Sequence, residues 1–102
     1  MTWFNIVKEE VTLYIGIDCE PGPIRPDDIL ETLMAGINIA GVNLNAEPTA
    51  KWFGAWKWTW LVEREDYKKH EAEIKSRLNQ LFNKGYIRGA EWGILEDDET
   101  GV

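Results

Sequence analysis

Val11, Leu13, Ile15 and Ile17 alternate with Thr12, Tyr14, Gly16 and Asp18, and this two-residue period predicts a half-buried strand. Cys19 to Pro26 carries three prolines and Gly22 and reads as a loop. Asp28 and Glu31 have capping-box spacing. They open a predicted helix with the apolar stripe Ile29, Leu30, Leu33, Ile37 and Ala40, which Gly41 can end. Val42 to Glu47 is weakly strand-like and is interrupted by Pro48. A long strand then runs through a tryptophan-rich stretch to about Glu63. The second predicted helix starts near Glu65 and Asp66, whose charges suit a helix N-terminus. It shows the stripe Tyr67, Ile74, Leu78, Leu81 and Phe82 and closes at Lys84 and Gly85. Glu71–Lys75 and Glu73–Arg77 are favourable pairs on its wetter side. Ala90, Trp92 and Ile94 mark a last strand. Residues 1–8, with Trp3, Ile6 and Val7 at helical spacing behind Thr2, predict an arm or a single helical turn, and the polar end 97–102 is expected to fray.

The order strand, helix, short strand, long strand, helix, strand predicts an α+β domain. Its arrangement is the ferredoxin-like βαββαβ one: a four-stranded antiparallel sheet with both helices on one face. In this arrangement the first and third strands are central neighbours. One domain occupies residues 1–102.

Lys51-Trp52-Phe53-Gly54-Ala55-Trp56-Lys57-Trp58-Thr59-Trp60 holds four of the chain's six tryptophans. Counted at the strand period, Trp52, Trp56, Trp58 and Trp60 share one face, and Phe53, Ala55, Lys57 and Thr59 share the other. The core face of the third strand is expected to carry Trp56, Trp58, Trp60 and Val62, because the opposite face includes Lys57 and Glu63. Each buried indole removes on the order of 200 Å² from water, so these side chains can dominate the core of a small domain. The alternative is that some indoles line an exposed groove or a subunit interface, where tryptophan is enriched. Trp3 and Trp52, near chain or strand ends, are the ones expected to be exposed. The open face of the sheet then holds Tyr14, Phe53, Ala55, Lys57 and Thr59.

Eighteen acidic against eleven basic residues give a net charge of −7. That charge repels phosphate backbones and anionic membranes and fits a basic protein partner. Glu96, Asp97, Asp98 and Glu99 extend the acidic character and are expected near Glu9 and Glu10 if the last strand pairs antiparallel with the first. Cys19 is the only cysteine, so an intrachain disulfide is excluded and a reducing, cytoplasmic setting is expected. No apolar run approaches the roughly 20 residues of a membrane helix.

Leu13-Tyr14-Ile15-Gly16-Ile17-Asp18 resembles the first-strand motif of RNA-recognition-motif domains. Lys51 to Trp58 partly resembles their third-strand motif, basic–Gly–aromatic–Gly–aromatic–aliphatic–any–aromatic. The resemblance implies the same element order, with bases stacking on Tyr14 and Phe53 and Lys51 near a phosphate. Trp52 stands where the motif has glycine, and Ala55 where it has its second stacking aromatic.

Catalytic signals are sparse. His70 is the sole histidine, four residues after Asp66, and no serine or cysteine is placed in sequence as its nucleophile. One histidine and one cysteine fall short of a zinc framework, and phosphate-loop, nucleophile-elbow and metalloprotease motifs are missing from the sequence. No cofactor or metal is called for. The sequence therefore predicts a non-catalytic, acidic protein-interaction module, a regulator, viral accessory protein or inhibitor. It would bind through Tyr14, Phe53 and Lys57, with Trp3, Trp52 and the acidic run 96–99 as further interface residues. A cofactor-free enzyme or ligand sensor built by a face-to-face dimer, and a single-stranded RNA binder, are the alternatives.

Overall fold

The computed structural model describes residues 9–19, 22, 24–52 and 55–95. The elements follow in the order β1 (Glu10–Asp18), α1 (Pro26–Met34), β2 (Ala50–Lys51), β3 (Ala55–Glu63), α2 (Arg64–Asn83) and β4 (Gly89–Leu95). They form one antiparallel sheet in the order β2-β3-β1-β4. Both helices pack on β1 and β3. This is the expected ferredoxin-like α+β class, with β2 cut down to two residues.

The alternation in β1 does what it predicts. Val11, Leu13, Ile15 and Ile17 face Val62, Trp60, Trp58 and Trp56 across the central pair. All but the half-buried Trp56 are buried. Beneath them lie Ile29, Leu30 and Leu33 of α1 and Tyr67, Ile74 and Leu78 of α2, which close a single core. The Tyr67 hydroxyl donates to Glu71 at 3.3 Å, and burial, reinforced by that carboxylate, raises its pKa well above the usual tyrosine value.

Three elements depart from the sequence reading. The tryptophan-rich stretch is not one strand: Trp52 and Ala55 exchange backbone hydrogen bonds of 2.7 and 3.3 Å, and Lys51 pairs with Trp56. The chain therefore doubles back within the run, β2 lies at 50–51 and Val42 to Glu47 is an irregular, ordered segment. The reversal also moves Trp52 off the face of Trp56, Trp58 and Trp60.

Helix α1 ends at Met34 rather than near Gly41, because Gly36 takes φ +80° and turns the chain. Ile37 and Ile39 are still buried, but from the loop. Asp28 sits at the third helical position and accepts the Arg25 N–H at 3.3 Å, so the capping carboxylate is Asp28 itself and not Glu31. Pro26 opens the helix, where its missing N–H leaves nothing unsatisfied. In α2, Phe82 is 55% exposed and lies outside the core stripe. Of the two expected ion pairs, Glu73–Arg77 forms at 2.8 Å, whereas Glu71 meets Lys68 at 3.4 Å. The Asp66 carboxylate accepts the Ala40 N–H at 3.2 Å and holds the loop.

The last turn of α1 has no basic residue of its own. Arg77 of α2 supplies the charge, donating from Nη1 to the Leu33 and Ala35 carbonyls at 2.8 and 2.6 Å and from Nη2 to Glu73 at 2.8 Å. One guanidinium thus satisfies orphan carbonyls of one helix and pins it to the other. Arg77→Met keeps much of the aliphatic stem and is expected to cost about 1–2 kcal/mol, a fall in Tm of roughly 5–10 °C by thermal melting. An unchanged Tm would show that the cap contributes nothing.

Candidate interaction surface

The sheet face opposite the helices is built in rows set by register. At one end Glu10 faces Glu63. The next row is Leu61–Thr12–Leu95, then Thr59–Tyr14–Gly93, Lys57–Gly16–Glu91 and Ala55–Asp18–Gly89. Glycines shape the middle. A Cβ on Gly93 would meet Tyr14 Oη at 3.2 Å, and one on Gly16 would meet Glu91 Cγ at 3.0 Å. Their absence lets Tyr14 lean across β4 and Glu91 lie over β1.

Lys57 joins the two. Its Nζ stands 4.9 Å from the Tyr14 ring centroid and 3.9 Å from Glu91 Oε1. The cation thus occupies the ring face on which a base would stack in the RNA-binding resemblance. Beside this group is a cleft of about 280 Å³ whose lining includes Gly16, Trp52, Lys57, Gly89 and Glu91. Trp52 is 64% exposed. Asp18, at the cleft's end, accepts from Arg88 at 2.8 Å.

Of the residues singled out from sequence, Tyr14 and Lys57 are brought together and Trp52 lies on the same open side. Phe53, Trp3, Glu96, Asp97, Asp98 and Glu99 lie outside the described residues. Glu9 is engaged by Arg64 through two hydrogen bonds of 2.9 and 3.1 Å, and its carboxylate already has a cation. Sequence reasoning missed Leu61 and Leu95, which are 61% and 49% exposed. The signal for Leu61 was parity: it is out of phase with Trp58, Trp60 and Val62.

The remaining candidates are spatially separate from this face. Lys51 and Arg25 stand 4.1 and 5.4 Å from the Trp56 ring, above a cleft of about 250 Å³ whose lining includes Asp27, Asp28, Glu31 and Glu47. Lys51 is therefore spent on an indole on the helix side of the sheet. Cys19 is buried, and burial, with Asp18 adding, raises its pKa against the opposing pull of Arg88; such a thiol is a poor nucleophile. His70 is half-buried on α2. Among the described residues no group of three His, Cys, Asp or Glu side chains could hold a metal ion, and no helix is long and apolar enough to cross a membrane.

No family model matches the chain, and no curated protein or solved structure matches it significantly.

Proposed function

We propose that this protein is a non-catalytic, acidic interaction module that docks a basic protein partner on the open face of its sheet. The observation that carries the reading is the row Leu61–Thr12–Leu95, where two exposed leucines flank a small polar residue next to Tyr14. Exposed apolar side chains on a rigid sheet are what a docking face uses for affinity. The acids around them, Glu10, Glu63 and Glu91, join a chain of net charge −7 and favour a positive partner surface by attraction and by faster encounter. The face needs neither a cofactor nor a nucleophile.

The test is site-specific photo-crosslinking in the native host, with the reactive group at Leu61 and, as control, at Lys75 on the exposed side of α2. The adduct expected at Leu61 alone is a protein with a basic surface. With that partner purified, Leu61→Ser combined with Leu95→Ser should weaken binding about tenfold or more, and rising salt should weaken it further. An adduct with RNA, with a second copy of the chain, or equally at Lys75 would overturn the reading.

A further inference from the structure

The two edges of the sheet are finished differently. On the β2–β3 side the loop following α1 covers the strand. Thr49 donates its N–H to the Lys57 carbonyl at 2.7 Å, the Thr49 and Thr59 hydroxyls lie 2.8 Å apart, and Trp60 Nε1 donates to the Asn43 carbonyl at 3.0 Å. Gly41 presses on the Leu61 carbonyl. Beyond the two residues of β2, the edge of β3 is thus covered along Thr59 to Leu61.

On the other side β4 runs for seven residues, pairs with β1, and among the described residues has no neighbour on its outer side. Its sequence, Gly89 to Leu95, contains one charge and no lysine or proline. It lacks the lysine and proline with which proteins commonly blunt a free edge. Its inner face is unfinished as well. The helices pack chiefly on β1 and β3, so Ala90, Trp92 and Ile94 are only partly buried against the core. A strand laid along β4 would satisfy the outward backbone groups and cover these side chains together.

We propose that the outer edge of β4 is a docking site for an extended, basic segment of a partner protein, taken up as a fifth strand. Charge selects this occupant over a second copy. Glu91, with its side chain 63% exposed, sits mid-strand and is the strand's single charge. Two copies edge to edge would bring two chains of charge −7 together, whereas a basic strand is attracted. The strand period then specifies the segment. Apolar side chains on one side extend the layer of Trp92 and Ile94, and alternate lysine or arginine side chains on the other lie on the face that carries Glu91, whose carboxylate they would share with Lys57. Glu91 borders both surfaces, but the backbone edge of β4 is distinct from the row Leu61–Thr12–Leu95, and strand addition does not depend on docking at that row.

The probe is a synthetic peptide as long as β4 that alternates valine and lysine. It is compared with a valine–glutamate peptide, with an isomer whose valines and lysines are segregated, and with the alternating peptide methylated along its backbone nitrogens. Amide spectra and hydrogen exchange of the full chain report the site. Expected are shifts and exchange protection in β4 with the alternating basic peptide alone, no response to the methylated form, and affinity lowered about tenfold by Glu91→Lys. Equal binding of the segregated or methylated peptide, or of the glutamate peptide, would overturn strand addition by a basic segment. Shifts confined to Thr12, Tyr14 and Leu61 would overturn it in favour of the open face. Protection of β4 that grows with protein concentration in the absence of peptide would identify a second copy as the occupant. Absence of binding by the alternating peptide would also overturn the proposal.

Discussion

Trp58→Ala is expected to cost about 3–5 kcal/mol, a large part of the roughly 5–15 kcal/mol that holds a domain of this kind together. Trp58 is 1% exposed and sits in the middle of β3 opposite Ile15, which is fully buried. Its ring centroid is 6.0 Å from that of Trp56, and the two helices close over the same cluster. Truncation leaves a void between a sheet held by ladders on both sides of β1 and helices pinned by Arg77. Neither layer can collapse into the gap without losing hydrogen bonds. Trp52→Ala is the matched control: the same deletion at a side chain 64% exposed is expected to change stability by no more than about 0.5 kcal/mol. Urea denaturation followed by far-UV circular dichroism, whose signal does not depend on the deleted indole, measures both. Comparable midpoints for the two variants would show that Trp58 is not the centre of the core.

The contrast between these two tryptophans also shows how much was legible in the sequence. Local alternation sufficed for β1 and for the burial of Trp58, Trp60 and Val62, because one face of each strand is covered and a one-residue slip would expose it. It failed at Trp52, because parity counted through residues 52–54 presumes a straight chain. Once the chain doubles back between Trp52 and Ala55, the indole joins the open side. The row Leu61–Thr12–Leu95 was hidden for a different reason. Each residue's outward face follows from its own strand, but their meeting depends on the register of two non-local pairings, which no local pattern contains. At α1 the apolar spacing of Ile37 misled, since a loop can bury an isoleucine as well as a helix can. Gly36, placed inside the supposed helix, carried the correct signal.

That loop is where the second large effect is expected. Gly41→Ala should cost about 3 kcal/mol or more, the sum of a strained backbone and a collision. Gly41 has φ +98°, a conformation in which a Cβ is disfavoured by about 1–2 kcal/mol. In addition, the Cβ would collide with the Leu61 carbonyl, part of the backbone of a central strand that cannot yield. The loop must lift instead, straining the bonds on either side, Ala40 N–H to Asp66 and Trp60 Nε1 to the Asn43 carbonyl. Gly36→Ala isolates the backbone component, because φ there is +80° and an added Cβ would meet open space; its expected cost is about 1 kcal/mol. In thermal melts the two variants should therefore differ by roughly 8–16 °C, with Gly41→Ala the less stable. Because the same loop covers the β3 edge, Gly41→Ala should also speed amide exchange along β3 while leaving β1–β4 pairing protected in the population that remains folded. Equal melting of the two alanine variants would mean that the loop does not rest on the strand, and that the β3 edge is as open as that of β4.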